Sequence, residues 1–240
     1  MSFINRLVPD SFKNYIRRKS GVPDMFFSLE RLNALGFKPQ QIIDVGAYEG
    51  EWTKSCMQVF PGASYLMLEA MQQKQSKLKE ISEAKSNVTY DIALLAQADN
   101  EELYFTELET ASSVLEEVVN KQNRTKRKSI TLNTVLKHKE ISKVDLIKLD
   151  VQGYEAEVLK GFSDYLPTTE VIISEVSLLD IHKEVPLIRD MINYMYEYNF
   201  VVYDICSVST RRPLDKALWQ TDLLFVKESS SFRSDKRYNV

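Results

Sequence analysis

The run IIDVGAYEGEWT combines a carboxylate with glycines at a point where an apolar strand turns into a helix. Asp44 precedes Gly46 and Gly50, and glycine lets a ligand approach the backbone without a Cβ in the way. The dinucleotide fingerprint G-x-G-x-x-G is absent, because Tyr48 and Glu51 stand at its second and third glycine positions. An acidic strand end suits a cationic ligand better than a pyrophosphate, and S-adenosylmethionine carries a sulfonium and an ammonium group.

A second carboxylate, Glu69, ends the next apolar run, SYLMLEA. A carboxylate at this strand end can accept hydrogen bonds from both hydroxyls of a ribose. An acid at a strand end is often only a solvated loop residue, but this one follows the glycine turn in the order that such a cofactor requires. We therefore predict S-adenosylmethionine binding by a set of residues that comprises Asp44, Gly46, Ala47, Tyr48, Glu49, Gly50, Trp52, Thr53, Glu69, Ala70, Asp91, Ala93 and Asp150.

Charged residues also occur at the end of a later apolar run, VDLIKLDV. Strand side chains alternate between the two faces of a sheet, so Lys148 and Asp150 point to the same side. Burying such charges is costly unless they are paired. One interpretation is a structural ion pair or a helix-capping carboxylate; the other is that both residues position the methyl acceptor or take part in acid–base catalysis.

Glu175 ends the following apolar run, EVIISEVS. Because neighbouring parallel strands end at the same edge of a sheet, Glu175 can face Asp150. Two such carboxylates are an alternative site for Mg²⁺, which prefers oxygen ligands. We predict no bound metal and expect Glu175 to orient or deprotonate the acceptor.

His182 follows the same strand and completes the predicted catalytic set. Histidine titrates near neutral pH and is a common general base, although a surface histidine is the alternative interpretation.

A basic stretch elsewhere is interpreted as a solvated loop, with recognition of an anionic acceptor as the alternative. Its residues are Lys121, Arg124, Lys126, Arg127 and Lys128.

Short apolar runs alternate with amphipathic helical segments along most of the chain. This alternation predicts an α/β fold, with parallel strands joined by helical crossovers and helices on both faces of the sheet. The last two runs, FVVYDICSV and LWQTDLLFV, are separated by a segment too short and polar for a crossover helix, so they are expected to form a hairpin. The result resembles the Rossmann-like class I methyltransferase fold, a seven-stranded, mostly parallel sheet with a C-terminal antiparallel hairpin.

The predicted methyltransferase domain spans residues 37–228. A helical extension, residues 1–36, precedes it and interleaves apolar with basic side chains. Such a segment is expected to pack on the domain, and weak peripheral contact with an anionic membrane is the alternative. Residues 229–240 are predicted to form a disordered tail.

The segment VDLIKLDVQGYEAEVLKG, at residues 144–161, resembles the signature of the FkbM-type methyltransferase family. The resemblance continues in IIDVGAYEGEWT, YLMLEA, DIALL, TLNTVL and TDLLFV, and it covers roughly residues 36–226. It implies S-adenosylmethionine-dependent methylation of a hydroxyl, often on a sugar or a secondary metabolite. Gln152 departs from the family pattern, which has glutamate there, and Ala70 replaces a usual proline.

The whole-chain composition narrows the choice of partners and compartment. A net charge of −3 disfavours nucleic acid as a partner. No apolar run is long enough for a membrane span, and the two cysteines form no CxxC pair, so we expect a cytoplasmic protein.

Three classes of function compete. The favoured class is an O-methyltransferase with a small-molecule or glycan acceptor. The second is a methyltransferase of RNA or protein, which the absence of an [ND]PP[YF] motif disfavours. The third is an NAD-type oxidoreductase or a non-catalytic nucleotide-binding module, which the missing dinucleotide fingerprint disfavours.

Overall fold

The computed structural model describes residues 19–106, 113–115, 124–208 and 211–238. Within these residues the strands are β1 (Gln41–Val45), β2 (Ser64–Glu69), β3 (Val88–Ile92), β4 (Glu102–Thr106), β5 (Arg124–Lys128), β6 (Leu146–Leu149), β7 (Val171–Ser177), β8 (Phe200–Ile205) and β9 (Gln220–Lys227). The α-helices are α1 (Met25–Ala34), α2 (Glu51–Val59), α3 (Gln75–Ala84), α4 (Leu132–His138), α5 (Glu155–Lys160) and α6 (Ile188–Glu197).

Seven of these strands form one sheet in the order β3-β2-β1-β6-β7-β9-β8. The neighbouring strands from β3 to β7 are parallel, whereas β9 runs antiparallel to both β7 and β8. This arrangement confirms the predicted mostly parallel sheet with a C-terminal antiparallel hairpin. The strand order reverses beside β1, which places the carboxyl ends of β1 and β6 at the point where ligands bind in such sheets.

Helices cover both faces of the sheet, as predicted. In β1, Ile42 and Ile43 point to opposite faces and both are completely buried, which explains the continuous apolar run. On the Ile42 face, the apolar core includes residues of α1, α2 and α3. On the Ile43 face, the core includes residues of α4, α5 and α6.

The basic stretch departs from its predicted loop conformation, because residues 124–128 form β5. This strand pairs antiparallel with β4 in a separate two-stranded sheet, called the β4–β5 arm below. Phe105 in β4 is buried, and the Arg127 guanidinium lies 5.4 Å from its ring centroid. None of the five residues of β5 is fully buried, so the order of this strand comes from its pairing with β4 and from the contact of Arg127 with Phe105. Lys121 lies outside the described residues.

The C-terminal tail also departs from the predicted disorder in its first part. Residues Ser231–Arg233 form a 3-10 helix. The Phe232 ring lies 5.8 Å from that of Phe37 and 6.4 Å from that of Tyr203, between ring centroids. This aromatic contact fixes a segment whose polar composition indicates no structure. Residues 1–18, which make up half of the predicted helical extension, lie outside the described residues, and the domain boundaries at 36 and 228 stay predictions.

Among the described residues, no helix has the length and apolar character that crossing a membrane requires.

Candidate cofactor and acceptor site

The turn between β1 and α2 is held tightly between two neighbouring strands. The amides of Gly46 and Ala47 both donate to the Leu68 carbonyl, at 2.9 and 3.0 Å. Gly46 has a φ of 74°, and a Cβ there would lie 1.8 Å from the carbonyl oxygen of Asp150. Glycine is therefore required at position 46 both for the left-handed backbone and for the close approach of the segment after β6.

A cavity of about 300 Å³ opens above this turn, at the carboxyl ends of β1, β2 and β6. Phe105 and Val114, on and beside the β4–β5 arm, form part of its wall, so this arm covers the site. Most of the residues predicted to bind the cofactor do line the cavity: Gly46, Ala47, Tyr48, Glu49, Trp52, Glu69, Ala70, Ala93 and Asp150.

Glu69 is the buried carboxylate at the end of β2, with 6% of its surface exposed. Its Oε2 accepts a hydrogen bond from the Tyr48 amide at 2.7 Å, and its Oε1 accepts one from the Met71 amide at 2.9 Å. Burial raises the pKa of this carboxyl, although the backbone hydrogen bonds oppose the shift. Each carboxylate oxygen has a second lone pair, so Glu69 can still accept from a ligand in the cavity.

Asp44 and Thr53, also predicted to bind the cofactor, do not line the cavity. Both are buried, and the Thr53 hydroxyl donates to Asp44 Oδ2 at 2.7 Å. Asp44 Oδ1 lies 3.6 Å from the Lys148 ammonium. These contacts tie α2 to β1 and β6, so Asp44 supports the site from within the sheet and does not reach the cavity.

Gly50 and Asp91 are likewise outside the cavity wall. Gly50 has a φ of 76°, and a Cβ there would lie 2.3 Å from Ile81 Cδ1, so packing of α3 requires this glycine. Asp91 forms an ion pair with Lys139 at 3.3 Å. The sequence places both residues near the predicted binding segments, but it does not reveal that Gly50 packs against α3 or that the Asp91 side chain points to Lys139.

Lys148 lies at the centre of the charged residues below the cavity, with 5% of its surface exposed. Its ammonium lies 3.6 Å from Asp44 Oδ1 and 3.2 Å from Asp150 Oδ2. Burial lowers the pKa of Lys148, but the charges of Asp150 and Asp44 outweigh this effect and raise it above its usual value. Lys148 therefore remains a cation at neutral pH. The structural ion pair considered from the sequence is present, and Lys148 also lines the cavity.

A bridge of amide groups connects the carboxylates of Asp150 and Glu175. Gln152 Nε2 donates to Asp150 Oδ1 at 2.9 Å and to Glu175 Oε2 at 3.1 Å. Gln220 Nε2 donates to the same Glu175 oxygen at 2.8 Å. Burial raises the pKa of Glu175 well above its usual range, and the charge of Asp150 adds to the shift. Asp150 and Glu175 thus lie near each other, as predicted, but an amide nitrogen separates them.

His182 is buried, which corrects the interpretation as a surface histidine. The segment after β7 returns to the sheet, where Ser177 pairs with Leu187, and this return places the ring under the turn after β6. A Cβ on Gly153 would lie 3.8 Å from His182 Nδ1. The ring does not line the cavity.

Sequence reasoning missed Gln220 and Tyr154. Gln220 reaches Glu175 because β9 runs antiparallel beside β7, and Tyr154 lines the cavity at the start of α5. No local pattern marks Gln220, since its role depends on a strand pairing between distant segments. Tyr154 lies inside the KLDVQGYE block, so that block could have drawn attention to it.

The strand order and the cavity at the carboxyl ends of β1, β2 and β6 define the Rossmann-like class I methyltransferase fold. The fibrillarin pre-rRNA processing protein of Methanococcus jannaschii is similar, with a TM-score of 0.50, 11% identity, and coverage of 80% of this chain and 68% of that one. Precorrin-6y C5,15-methyltransferase from Geobacter metallireducens has a TM-score of 0.49, 10% identity, and coverage of 85% and 87%. Aeropyrum pernix fibrillarin, with natively bound S-adenosyl-L-methionine, has a TM-score of 0.47, 12% identity, and coverage of 79% and 67%.

At 11% identity, the similarity to the Methanococcus jannaschii protein concerns the fold alone. The family model of the methyltransferase FkbM domain matches residues 44–202, which is more than half of the chain. The protein therefore belongs to the FkbM methyltransferase family, and its activity is S-adenosylmethionine-dependent methyl transfer. No curated protein matches the sequence significantly.

We expect Glu69→Ala to weaken S-adenosylhomocysteine binding by about 1.5–3 kcal/mol, the value of one hydrogen bond to a charged group. The variant removes the buried acceptor at the end of β2, which faces the cavity. Isothermal titration calorimetry measures the loss of affinity. Thermal unfolding shows whether the protein stays folded when the Tyr48 and Met71 amides lose their acceptor. Unchanged affinity in the folded variant would refute the assignment of Glu69 to the ribose.

Proposed function

We propose that this protein transfers a methyl group to a hydroxyl of a sugar, a glycan or a secondary metabolite, with Glu175 as the general base. One observation carries the proposal. Glu175 Oε2 accepts two amide hydrogen bonds, whereas Oε1 accepts none from the described residues. One oxygen thus orients the carboxylate, and the other can accept the proton of an acceptor hydroxyl.

The other predicted catalytic residues suit this proton transfer less well. Both oxygens of Asp150 are engaged, one with Gln152 and one with Lys148. Lys148 keeps its proton because carboxylates surround it. His182 is buried beneath Gly153, whereas Glu175 is partly exposed. Asp150 and Lys148 are therefore proposed to position the base and the ligands.

The cavity fits S-adenosylmethionine in size and in the chemistry of its lining. Glu69 would hold the ribose hydroxyls, and the backbone at Gly46 and Ala47 can approach the ligand closely. Asp150 supplies negative charge to its cationic end. When bound, the cofactor supplies an electrophilic methyl group on a sulfonium. The residues on the acceptor side then need only align the hydroxyl and take its proton.

A weakly acidic hydroxyl benefits from a base whose pKa lies near the working pH. Burial and the charge of Asp150 raise the pKa of Glu175 in that direction. The raised pKa supports a hydroxyl acceptor over an already nucleophilic nitrogen, which needs no such base.

The β4–β5 arm supports an acceptor other than nucleic acid. Arg124 donates to the carbonyl oxygens of Tyr104 and Val114, and Arg127 donates to that of Ala70. Lys126 pairs with Glu102. These cations already have partners within the protein, which makes them weaker candidates for binding a phosphate backbone.

The proposed compartment is the cytoplasm, because Cys56 and Cys206 are both buried free thiols, as is common in a reducing environment.

The proposal predicts a methyl ether as product. The protein would be incubated with isotopically labelled S-adenosylmethionine and separate pools of glycans, small metabolites, RNA and protein. Mass spectrometry should locate the label on a hydroxyl oxygen in the glycan or metabolite pool. Incorporation confined to RNA or protein would contradict the acceptor class while leaving the methyltransferase family assignment intact.

A further inference from the structure

The turn after β6 holds Gln152 in a strained and well-defined position. Gln152 has a φ of 55° and Gly153 a φ of 95°, so two successive residues occupy the left-handed region. Glu155 Oε1 accepts hydrogen bonds from the amides of Val151, at 2.8 Å, and Gly153, at 3.2 Å. Non-glycine residues adopt this conformation only where the surroundings enforce it. The buried Glu155 carboxylate supplies that constraint and directs the Gln152 side chain toward Glu175.

The Gln152 amide nitrogen lies between two carboxylate oxygens, one from Asp150 and one from Glu175. An amide nitrogen carries two hydrogens and has no free lone pair for a metal, so it can donate to both carboxylates but cannot ligate a cation. The nitrogen therefore occupies the point on which both carboxylates converge. It offsets part of their repulsion through hydrogen bonds without adding a charge.

Carboxylate oxygens that converge on one point are the ligands that Mg²⁺, Mn²⁺ and Ca²⁺ prefer. We propose that the Gln152 amide takes the place of a divalent cation between Asp150 and Glu175, so that this enzyme assembles its acceptor side without a metal. The proposal rests on the proposed function only in assigning the two carboxylates to the acceptor side. Gln152 is thus a positioning residue for Glu175.

The chemistry of the site follows from this exchange of a cation for an amide. A bound divalent ion would lower the pKa of an acceptor hydroxyl directly, as a Lewis acid. A neutral amide does not, and it leaves Glu175 with the high proton affinity that a general base requires. Gln152→Glu should favour a bound cation over the amide arrangement. It removes the two donor hydrogens and adds a third carboxylate at the point where the other two converge.

The test compares Mn²⁺ binding to the wild type and to variants at Gln152 and Glu175. Thermal unfolding and water-proton relaxation measure the binding. In the wild-type protein we expect no Mn²⁺ binding that depends on Glu175. Gln152→Glu should unfold at a lower temperature without ions, because like charges then converge. It should bind Mn²⁺ at least about tenfold more tightly than the wild type, since affinity at such sites follows the number of charged ligands. Adding Glu175→Gln to Gln152→Glu should remove that gain.

Two results would overturn the proposal. The first is Mn²⁺ binding to the wild type that Glu175→Gln abolishes, because the cation position would then be open. The second is a folded Gln152→Glu variant with no gain in Mn²⁺ affinity. If Gln152→Glu does not fold, Gln152→Ala opens the same position without added charge and should bind Mn²⁺ more tightly than the wild type. Equal binding would overturn the proposal. S-adenosylhomocysteine binding, measured in parallel by calorimetry, tests the methyltransferase assignment separately.

Discussion

Glu175→Gln is expected to lower the rate of methyl transfer by about two to four orders of magnitude, the usual contribution of a positioned general base. Glutamine has nearly the same size and can still accept a hydrogen bond from Gln152 or Gln220, but it cannot take a proton at neutral pH. The rate is measured with labelled S-adenosylmethionine and the acceptor identified by mass spectrometry. Affinity for S-adenosylhomocysteine should persist, because Glu175 does not line the cofactor cavity.

The pH dependence of the rate provides the second readout for Glu175. Burial, followed by the charge of Asp150, raises the pKa of this carboxyl well above its usual range. The base is active only when deprotonated, so the wild-type rate should rise with pH through that raised pKa. The rise should therefore lie at higher pH than the value of about 4.3 for an ordinary glutamate. In Glu175→Gln, the remaining rate should lose this rise.

A matched control separates this effect from a general change of charge. Glu83→Gln replaces an exposed glutamate of α3 that forms a surface pair with Lys79 and does not line the cavity. It should leave both the rate and its pH profile as in the wild type. A Glu175→Gln variant with the same rate and the same profile would show that another group accepts the proton.

Lys148→Met is expected to cause the largest loss of stability, about 3–5 kcal/mol in the free energy of unfolding. Lys148 and Asp44 are both buried, so removal of the ammonium leaves the Asp44 carboxylate in the core without a cation. The cost arises from the uncompensated charge, because methionine fills much of the same volume. Chemical denaturation at several pH values measures the loss.

The pH dependence of this loss has a defined sign. Burial already raises the pKa of Asp44, and Lys148 opposes that shift. Without Lys148 the folded-state pKa of Asp44 rises further above its unfolded value. The penalty is absent below the unfolded pKa of aspartate, about 3.9, and grows as pH rises from there through the raised folded-state pKa. The variant should therefore lie closest to the wild type at the lowest pH measured and fall behind it as the pH increases.

The double variant Asp44→Asn with Lys148→Met is the control for this explanation. It removes both charges together and keeps an acceptor for the Thr53 hydroxyl, so most of the lost stability should return. A double variant as unstable as Lys148→Met would show that the loss comes from packing. A pH-independent loss in the single variant would lead to the same conclusion.

Local patterns in the sequence predicted the elements because hydrophobic periodicity and end signals act over a few residues. Thr131 is an example: threonine is a preferred N-cap residue, and its hydroxyl accepts a hydrogen bond from the Thr134 amide at 3.1 Å at the start of α4. The continuous apolar runs form the parallel strands. The short polar segment near the C-terminus connects β8 and β9, which pair as an antiparallel hairpin. The FkbM resemblance added the class of reaction, which periodicity alone does not contain.

Two segments that were predicted to lack regular structure, residues 124–128 and 231–233, are ordered for one physical reason. Residues 124–128 and 231–233 are polar, and polarity indicates exposure but not the lack of structure. In both segments an aromatic contact from a distant part of the chain provides order: Phe105 beside the first, and Phe37 beside Phe232 in the second. Composition does not encode such partners.

The order of apolar runs, glycines and carboxylates along the chain predicts an α/β sheet with a cofactor site at the ends of its first two strands. Which of these groups line the cavity depends on the tertiary structure. The register of β1 with β6 places Asp44 beside Lys148 and away from the cavity, while Glu69 reaches it. The pairing of β9 with β7 brings Gln220 to Glu175. Roles of this kind depend on pairing between segments far apart in the chain, and the direction of a side chain is defined only once that pairing forms.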